Sequence, residues 1–187
     1  MACKTPEKFF KVVTSPALPA GTFKGALALV TGGGSGLGKA IATMFAQLGA
    51  DVAIAARRTD VLAATASEIR AKTGADCEGF RMDVKDPAVV SKSIDEITKR
   101  FVSCASWCNG ITFYVNPLRF GKLPSIVVNN AAGNFIMATE RLSPNAVKAV
   151  VDIVLLGTLN VTTEVCRRAM KSDQGCTVLS ITTPYAR

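Results

Sequence analysis

The run Thr31-Gly32-Gly33-Gly34-Ser35-Gly36-Leu37-Gly38 concentrates glycine where an apolar strand pattern gives way to a helical one. Glycines allow a tight turn and a close approach of the backbone to a ligand. A helix that starts within the turn offers free N–H groups and the positive end of its dipole. Gly32, Gly33, Gly34, Ser35, Gly36 and Leu37 therefore form the expected cradle for the pyrophosphate of a dinucleotide. A glycine pattern alone carries little weight, but here the required strand and helix flank it.

Folds of this kind that take a 2′-hydroxyl ribose place an acidic residue about 20 positions on, at the end of the second strand. This chain has Arg57-Arg58 at that point. Two guanidinium groups there match a 2′-phosphate, so NADPH is expected over NADH. The plain alternative is a pair of arginines on a solvated loop. Asp83-Val84 closes the third strand and belongs to the same carboxyl edge of the sheet, where ligands bind in open α/β folds.

The chain has no histidine. Nucleophilic machinery that relies on a histidine base is thereby excluded, and proton chemistry falls to Tyr, Lys, Asp or Glu. Cys3, Cys77, Cys104, Cys108, Cys166 and Cys176 are irregularly spaced, which reads as reduced thiols rather than a disulfide framework or a metal site.

These residues need a scaffold, and the chain supplies alternating apolar runs and helical periods, the pattern of βαβ units and a parallel sheet. Strands are expected at 26–30, 51–56, 77–82, 125–129 and 176–181. The first helix follows the glycine turn, with Leu37, Ile41, Met44, Phe45 and Leu48 on one stripe, and stops at Gly49. The second starts near Thr59 or Asp60, buries Leu62, Ala66 and Ile69, and ends at Gly74. Asp86-Pro87 caps the third, whose apolar face is Val90, Ile94, Ile97 and Phe101. Ser143-Pro144 caps a long helix that runs to about Lys171. A doubly wound parallel sheet preceded by an N-terminal arm over 1–24 is the expected organisation.

Residues 102–120 do not suit this scheme. Helix-to-strand loops usually run about 2–6 residues. Deleting 102–120 would join an ordinary helix end to strand four, so the segment is expected to be an insertion, with a functional lid as the alternative.

The bulk numbers agree with one folded domain: 187 residues, 49% hydrophobic and 19% charged. The net charge of +8 comes from scattered Lys and Arg, without the clustering or aromatic platform of a nucleic-acid groove. It suits a phosphate-bearing ligand better. No apolar run approaches the roughly 20 residues of a membrane span, and residues 1–24 make an unconvincing organellar presequence.

The glycine turn, Arg57, Asp83-Val84 and Asn129-Asn130-Ala131-Ala132-Gly133 together resemble the short-chain dehydrogenase/reductase family. NNAAGNF at 129–135, TERLSPNA at 139–146 and SITTPY at 180–185 resemble, within it, the mitochondrial-type 2,4-dienoyl-CoA reductases. The likeness covers about residues 23–185 apart from the insertion. It implies a Rossmann-type fold, NADPH as cofactor, an acyl-CoA substrate and reduction of 2,4-dienoyl-CoA to 3-enoyl-CoA in unsaturated fatty-acid β-oxidation. Hydride would reach the far end of the diene, with the dienolate held at its thioester oxygen by Tyr185 and Asn134. By the same likeness Phe135 and Ser143 line the acyl-CoA site and Lys85 meets the CoA moiety. Ser143 is also a sound helix cap, Phe135 a candidate core residue and Lys85 a plain surface lysine.

Two departures stand out. Leu156 occupies a position where the family usually has asparagine. The chain also ends at Arg187, before the family's nicotinamide-ribose lysine, its subunit-contact helix and its last two strands. Five strands of an incomplete Rossmann domain over 25–187 and weak or absent catalysis are thus expected. The alternatives are a non-catalytic product that binds NADPH or interferes with full-length subunits, and a different short-chain carbonyl reductase. The likeness further implies a homo-oligomer and a mitochondrial location, with a cytoplasmic one as the alternative.

Overall fold

The computed structural model describes residues 17–101, 123–133 and 137–182. The proposed insertion, Asn134, Phe135 and Tyr185 lie outside them. Strands β1 (Leu27–Thr31), β2 (Asp51–Ala56), β3 (Cys77–Arg81), β4 (Ile126–Asn129) and β5 (Thr177–Ser180) form one wholly parallel sheet in the order β3-β2-β1-β4-β5. The order reverses between β1 and β4, which opens a crevice at the carboxyl ends of those strands.

Helices cover both faces, so the central strands β1, β2 and β4 are largely buried and read as nearly continuous apolar runs, whereas β3 and β5 toward the outside are more polar and exposed. Leu27 and Leu29 of β1, with Ala53 and Ala55 of β2, join one core cluster that includes Val90, Ile94 and Ile97 of α3 (Pro87–Arg100) and Val161 and Val165 of α5 (Gly157–Lys171). Val30, Val52 and Ile54 face the other way. They pack against Ala42 and Ala46 of α1 (Gly36–Gln47) and Leu62, Ala66 and Ile69 of α2 (Thr59–Thr73).

Local signals set the helix ends. The Asp86 carboxylate accepts from the amides of Ala88 and Val89, and Pro87 needs no donor partner in the first turn. Gly74 ends α2 with φ 71, a left-handed conformation in which a side chain would be strained.

The apolar stripe expected on α1 is corrected only in part: Leu48, at the C-cap, is buried as expected. Within the helix the buried residues are Gly38, Ala42 and Ala46, and Leu37 is 58% exposed. Small side chains let α1 sit close to the sheet, and the larger Ile41 and Phe45 pack only at the margin of the core. The Phe23 ring reaches Phe45 at 5.2 Å and the Phe23 amide donates to the Leu48 carbonyl, so residues just before β1 fasten onto the end of α1.

The long helix after Ser143 is not uniform. α4 (Pro144–Val151) passes through a π-helical turn, Asp152–Leu156, into α5. The expectation that nothing in the chain matches a membrane span needs a correction here. Pro144–Lys171 is long and apolar enough to cross a bilayer by length and composition, with an 18-residue window of mean hydropathy 1.6. One such helix is weak grounds for a span. Its face carrying Gly157, Val161, Val165 and Ala169 is buried, and α5 packs on α3 and β4.

Candidate active site: the glycine turn and its cleft

The end of β1 and the start of α1 are pinned from three sides. The Gly32 amide donates to the Ala55 carbonyl at 2.7 Å, continuing the sheet into the turn. The Thr31 hydroxyl accepts from the amides of Asn130 and Ala131, both at 3.0 Å, and donates to the Val128 carbonyl. The Asn130 amide group in turn donates to the Thr31 carbonyl at 3.1 Å. Thr65 of α2 donates to the Gly34 carbonyl at 2.8 Å. The Thr31 and Gly34 carbonyls are thus each engaged by a side chain from another element.

Two glycines are required by geometry. Gly32 has φ 66, in the left-handed region. A Cβ on Gly38 would stand 2.3 Å from the Gly32 oxygen and 2.6 Å from Asn130 Nδ2, so only glycine allows the helix to begin this close to the strand. Ser35 is the N-cap of α1 in extended conformation, yet its side chain caps no amide, and the first turn holds no acidic residue. The helix N-terminus thus keeps donors and dipole for an anion.

A cleft of about 540 Å³ lies over this turn. Gly32, Gly34, Ser35 and Leu37 form its floor, Arg57, Arg58 and Val61 one wall, and Met82, Asp83 and Val84 another. Asn130, Ala131, Ala132 and Ile153 close the β4 side. This is the crevice at the reversal of strand order, the place where such sheets bind ligands.

The sequence-predicted residues divide clearly. Gly32, Gly34, Ser35, Leu37, Arg57, Arg58 and Asp83 come together around one cavity. Gly33 instead backs onto Ile54, and Gly36, with φ 54, shapes the turn in open space. Arg57 and Arg58 are exposed, and among the described residues neither enters an ion pair. Lys85 does not line the cleft. Its amide donates to Asp83 Oδ1 at 3.1 Å and its Nζ lies 3.9 Å from Asp83 Oδ2. Ser143 is exposed and caps α4, accepting from the Ala146 amide at 3.2 Å. Leu156 sits on the π turn, 44% exposed and away from the cleft lining.

Several contributors lacked a sequence signal of their own. Asn130 lies in the run that carries the family resemblance, but its bridging of two strand ends becomes visible only in three dimensions. Ile153 reaches the cleft because the π turn shifts the helix register, a feature often found at functional positions. The same turn delivers Gly157 against Val84, where a Cβ would come within 2.6 Å of Val84 Cγ2, and Asn160 donates to the Val84 carbonyl.

A family model for short chain dehydrogenases matches residues 26–111. An uncharacterised oxidoreductase of Caenorhabditis elegans is 58% identical over 99% of this chain and 53% of its own length. The chain belongs to the short-chain dehydrogenase/reductase family.

Another C. elegans relative, named a probable 2,4-dienoyl-CoA reductase producing (3E)-enoyl-CoA, is 57% identical over the whole of this chain and 54% of its own length. A rat relative named as a peroxisomal 2,4-dienoyl-CoA reductase is 35% identical over 83% of this chain and 46% of its own. The chain spans about half the length of these curated relatives. Among solved structures, a short chain dehydrogenase of Bacillus anthracis superposes with a TM-score of 0.70 at 29% identity, covering 88% of this chain and 57% of that one. A citronellol catabolism dehydrogenase of Pseudomonas aeruginosa, at 24% identity and TM-score 0.74, shares the fold over 91% of this chain and 61% of its own.

Proposed function

We propose that this chain is the cofactor-binding part of an NADPH-dependent 2,4-dienoyl-CoA reductase. The observation that carries the reading is the cleft itself. A helix N-terminus with no side-chain cap and two guanidinium groups that, among the described residues, enter no ion pair converge on one cavity at the switch point of the sheet. The residues fit the cofactor: the turn admits a pyrophosphate at close range, and Arg57 and Arg58 match a 2′-phosphate with bidentate donors. The names of the similar relatives supply the substrate class.

When bound, NADPH would supply a hydride. The chain's own part is to hold and polarise. Amides at the start of α1 would donate hydrogen bonds to the pyrophosphate, and Asn130 and Thr31 tie the ends of β4 and β1 together. Tyr185 and Asn134, carried over from the family resemblance, would donate to the thioester oxygen as negative charge develops there. Phe135 and Ser143 would bound the acyl group and Lys85 would meet the CoA phosphates. Ser143 already serves as a helix cap, so its contact with substrate would be made by a residue held in place by that bond.

The purified chain mixed with NADPH and a 2,4-dienoyl-CoA tests this. Slow NADPH oxidation that depends on the dienoyl-CoA, with a 3-enoyl-CoA product, is the expected result. NADPH binding with no such oxidation would leave the non-catalytic reading standing. Preferential reduction of a simple ketone or aldehyde would overturn the dienoyl-CoA reading.

A further inference from the structure

The cofactor reading makes no use of two cysteines at the opposite end of β5 from the cleft. Cys166, near the end of α5, and Cys176, immediately before β5, have their sulfurs 3.7 Å apart. Both are partly buried free thiols, open enough for a small reagent. Cys77 is also free but fully buried, and burial pushes its thiol up to about 12.

We infer that Cys166 and Cys176 form a redox-modification site, closed into an intrachain disulfide by a low-molecular-weight disulfide of the glutathione type. The geometry is close to what the bond needs. A disulfide requires a sulfur separation of about 2.05 Å, so the two atoms must approach by about 1.6 Å. The connection between them can yield that distance. It is an exposed turn over 172–175, with Asp173 at φ 52 and Gly175 with no neighbour within 4 Å of an added Cβ.

The exchange balances without further components. One thiolate attacks a sulfur of the small disulfide and expels one thiolate of the reagent. The second cysteine attacks the resulting mixed disulfide and expels the other. Two protein thiols are oxidised, the reagent is reduced to two thiols, and the two protons pass to the leaving thiolates. Burial raises the Cys176 thiol above its ordinary value, so the reaction should quicken as pH rises.

Closure would tie the C-terminal end of α5 to the start of β5. Among the described residues that strand is the outermost of the sheet and pairs with β4, and Leu179 on it is 48% exposed. The bond shortens the fluctuations of the unfolded chain and holds an edge strand in place.

The full chain is incubated with oxidised glutathione at pH 8, its remaining thiols are blocked with iodoacetamide, and it is digested with trypsin without reduction. The two cysteines fall in different tryptic peptides, 149–167 and 172–187. The expected result is a linked pair of these peptides, about 2 Da lighter than their sum, from protein that runs as a monomer on a non-reducing gel. Reduction should separate them. The oxidised chain should melt several degrees above the reduced one, and Cys166→Ser and Cys176→Ser should each abolish both effects. The map of the unmutated chain decides even if a variant misfolds. Stable glutathione adducts on either residue, both thiols recovered alkylated, a link only between two chains, or dominant pairing with Cys3, Cys104 or Cys108 would overturn the assignment.

Discussion

The Thr65 hydroxyl donates a 2.8 Å hydrogen bond to the Gly34 carbonyl, joining α2 to the glycine turn across 31 residues of sequence. Thr65 is 4% exposed, so water cannot readily replace it. Thr65→Val keeps the shape and strands a buried carbonyl, at a cost of about 1–3 kcal/mol. A lower melting temperature and a several-fold weaker affinity for NADPH are expected, with Thr65→Ser close to the parent. Unchanged NADPH affinity in Thr65→Val would show that the turn does not depend on this contact.

Gly36 and Gly38 should respond differently to alanine. At Gly38 the new methyl meets the Gly32 oxygen at 2.3 Å, and the backbone of the turn must shift. At Gly36 nothing lies within 4 Å, and only the left-handed φ of 54 opposes the change, by roughly 1–2 kcal/mol. Gly38→Ala is therefore predicted to abolish measurable NADPH binding, with Gly36→Ala weakening it modestly. Melting curves and cofactor titrations of the two variants side by side check the order.

Arg57 and Arg58 carry the cofactor preference in this account. Hydrogen bonds to charged groups contribute about 1.5–3 kcal/mol each. Removing one side chain should weaken NADPH binding by about 10-fold to 100-fold and removing both by about 100-fold or more, with NADH binding left within about twofold. Equal losses for the two cofactors would indicate a general electrostatic role instead of phosphate recognition.

A pH effect follows from the α3–α5 contact. Arg168 donates to Glu164, Asp95, and the Ser91 carbonyl and hydroxyl. Burial opposes the Glu164 carboxylate, but hydrogen bonds from Arg168 and Ser91 outweigh it and hold Glu164 below its ordinary value of 4.5. A depressed carboxyl stabilises the fold fully above the unfolded value, and that share is lost as pH falls from 4.5 through the lower folded value. Thermal melts between pH 6 and pH 3 should show a steeper acid loss for the parent than for Glu164→Gln.

The sequence was most legible where local rules act alone. Asp86-Pro87 and Gly74 set helix ends through capping and backbone conformation, and the structure places those ends where the rules do. α3 buried its expected stripe because its apolar residues are large and its opposite face polar. α1 did not follow the same logic. There the requirement is close approach, so small residues face the sheet and Leu37 turns outward. The π turn at Asp152–Leu156 was also invisible, since a one-residue shift in helix register leaves the apolar pattern nearly intact.

The site shows the same split. Gly32, Gly34, Ser35, Arg57 and Asp83 announced themselves by type and spacing. Thr31, Thr65 and Asn130 act through bonds between segments far apart in sequence, which no local pattern encodes.

Calorimetric titration of the unmutated chain with NADPH and, separately, with NADH tests the central claim most directly. One site per chain is predicted, with NADPH bound at least about tenfold more tightly than NADH, as one added charge-assisted contact would require. Absence of saturable NADPH binding by the folded chain, or equal or tighter binding of NADH, would contradict it.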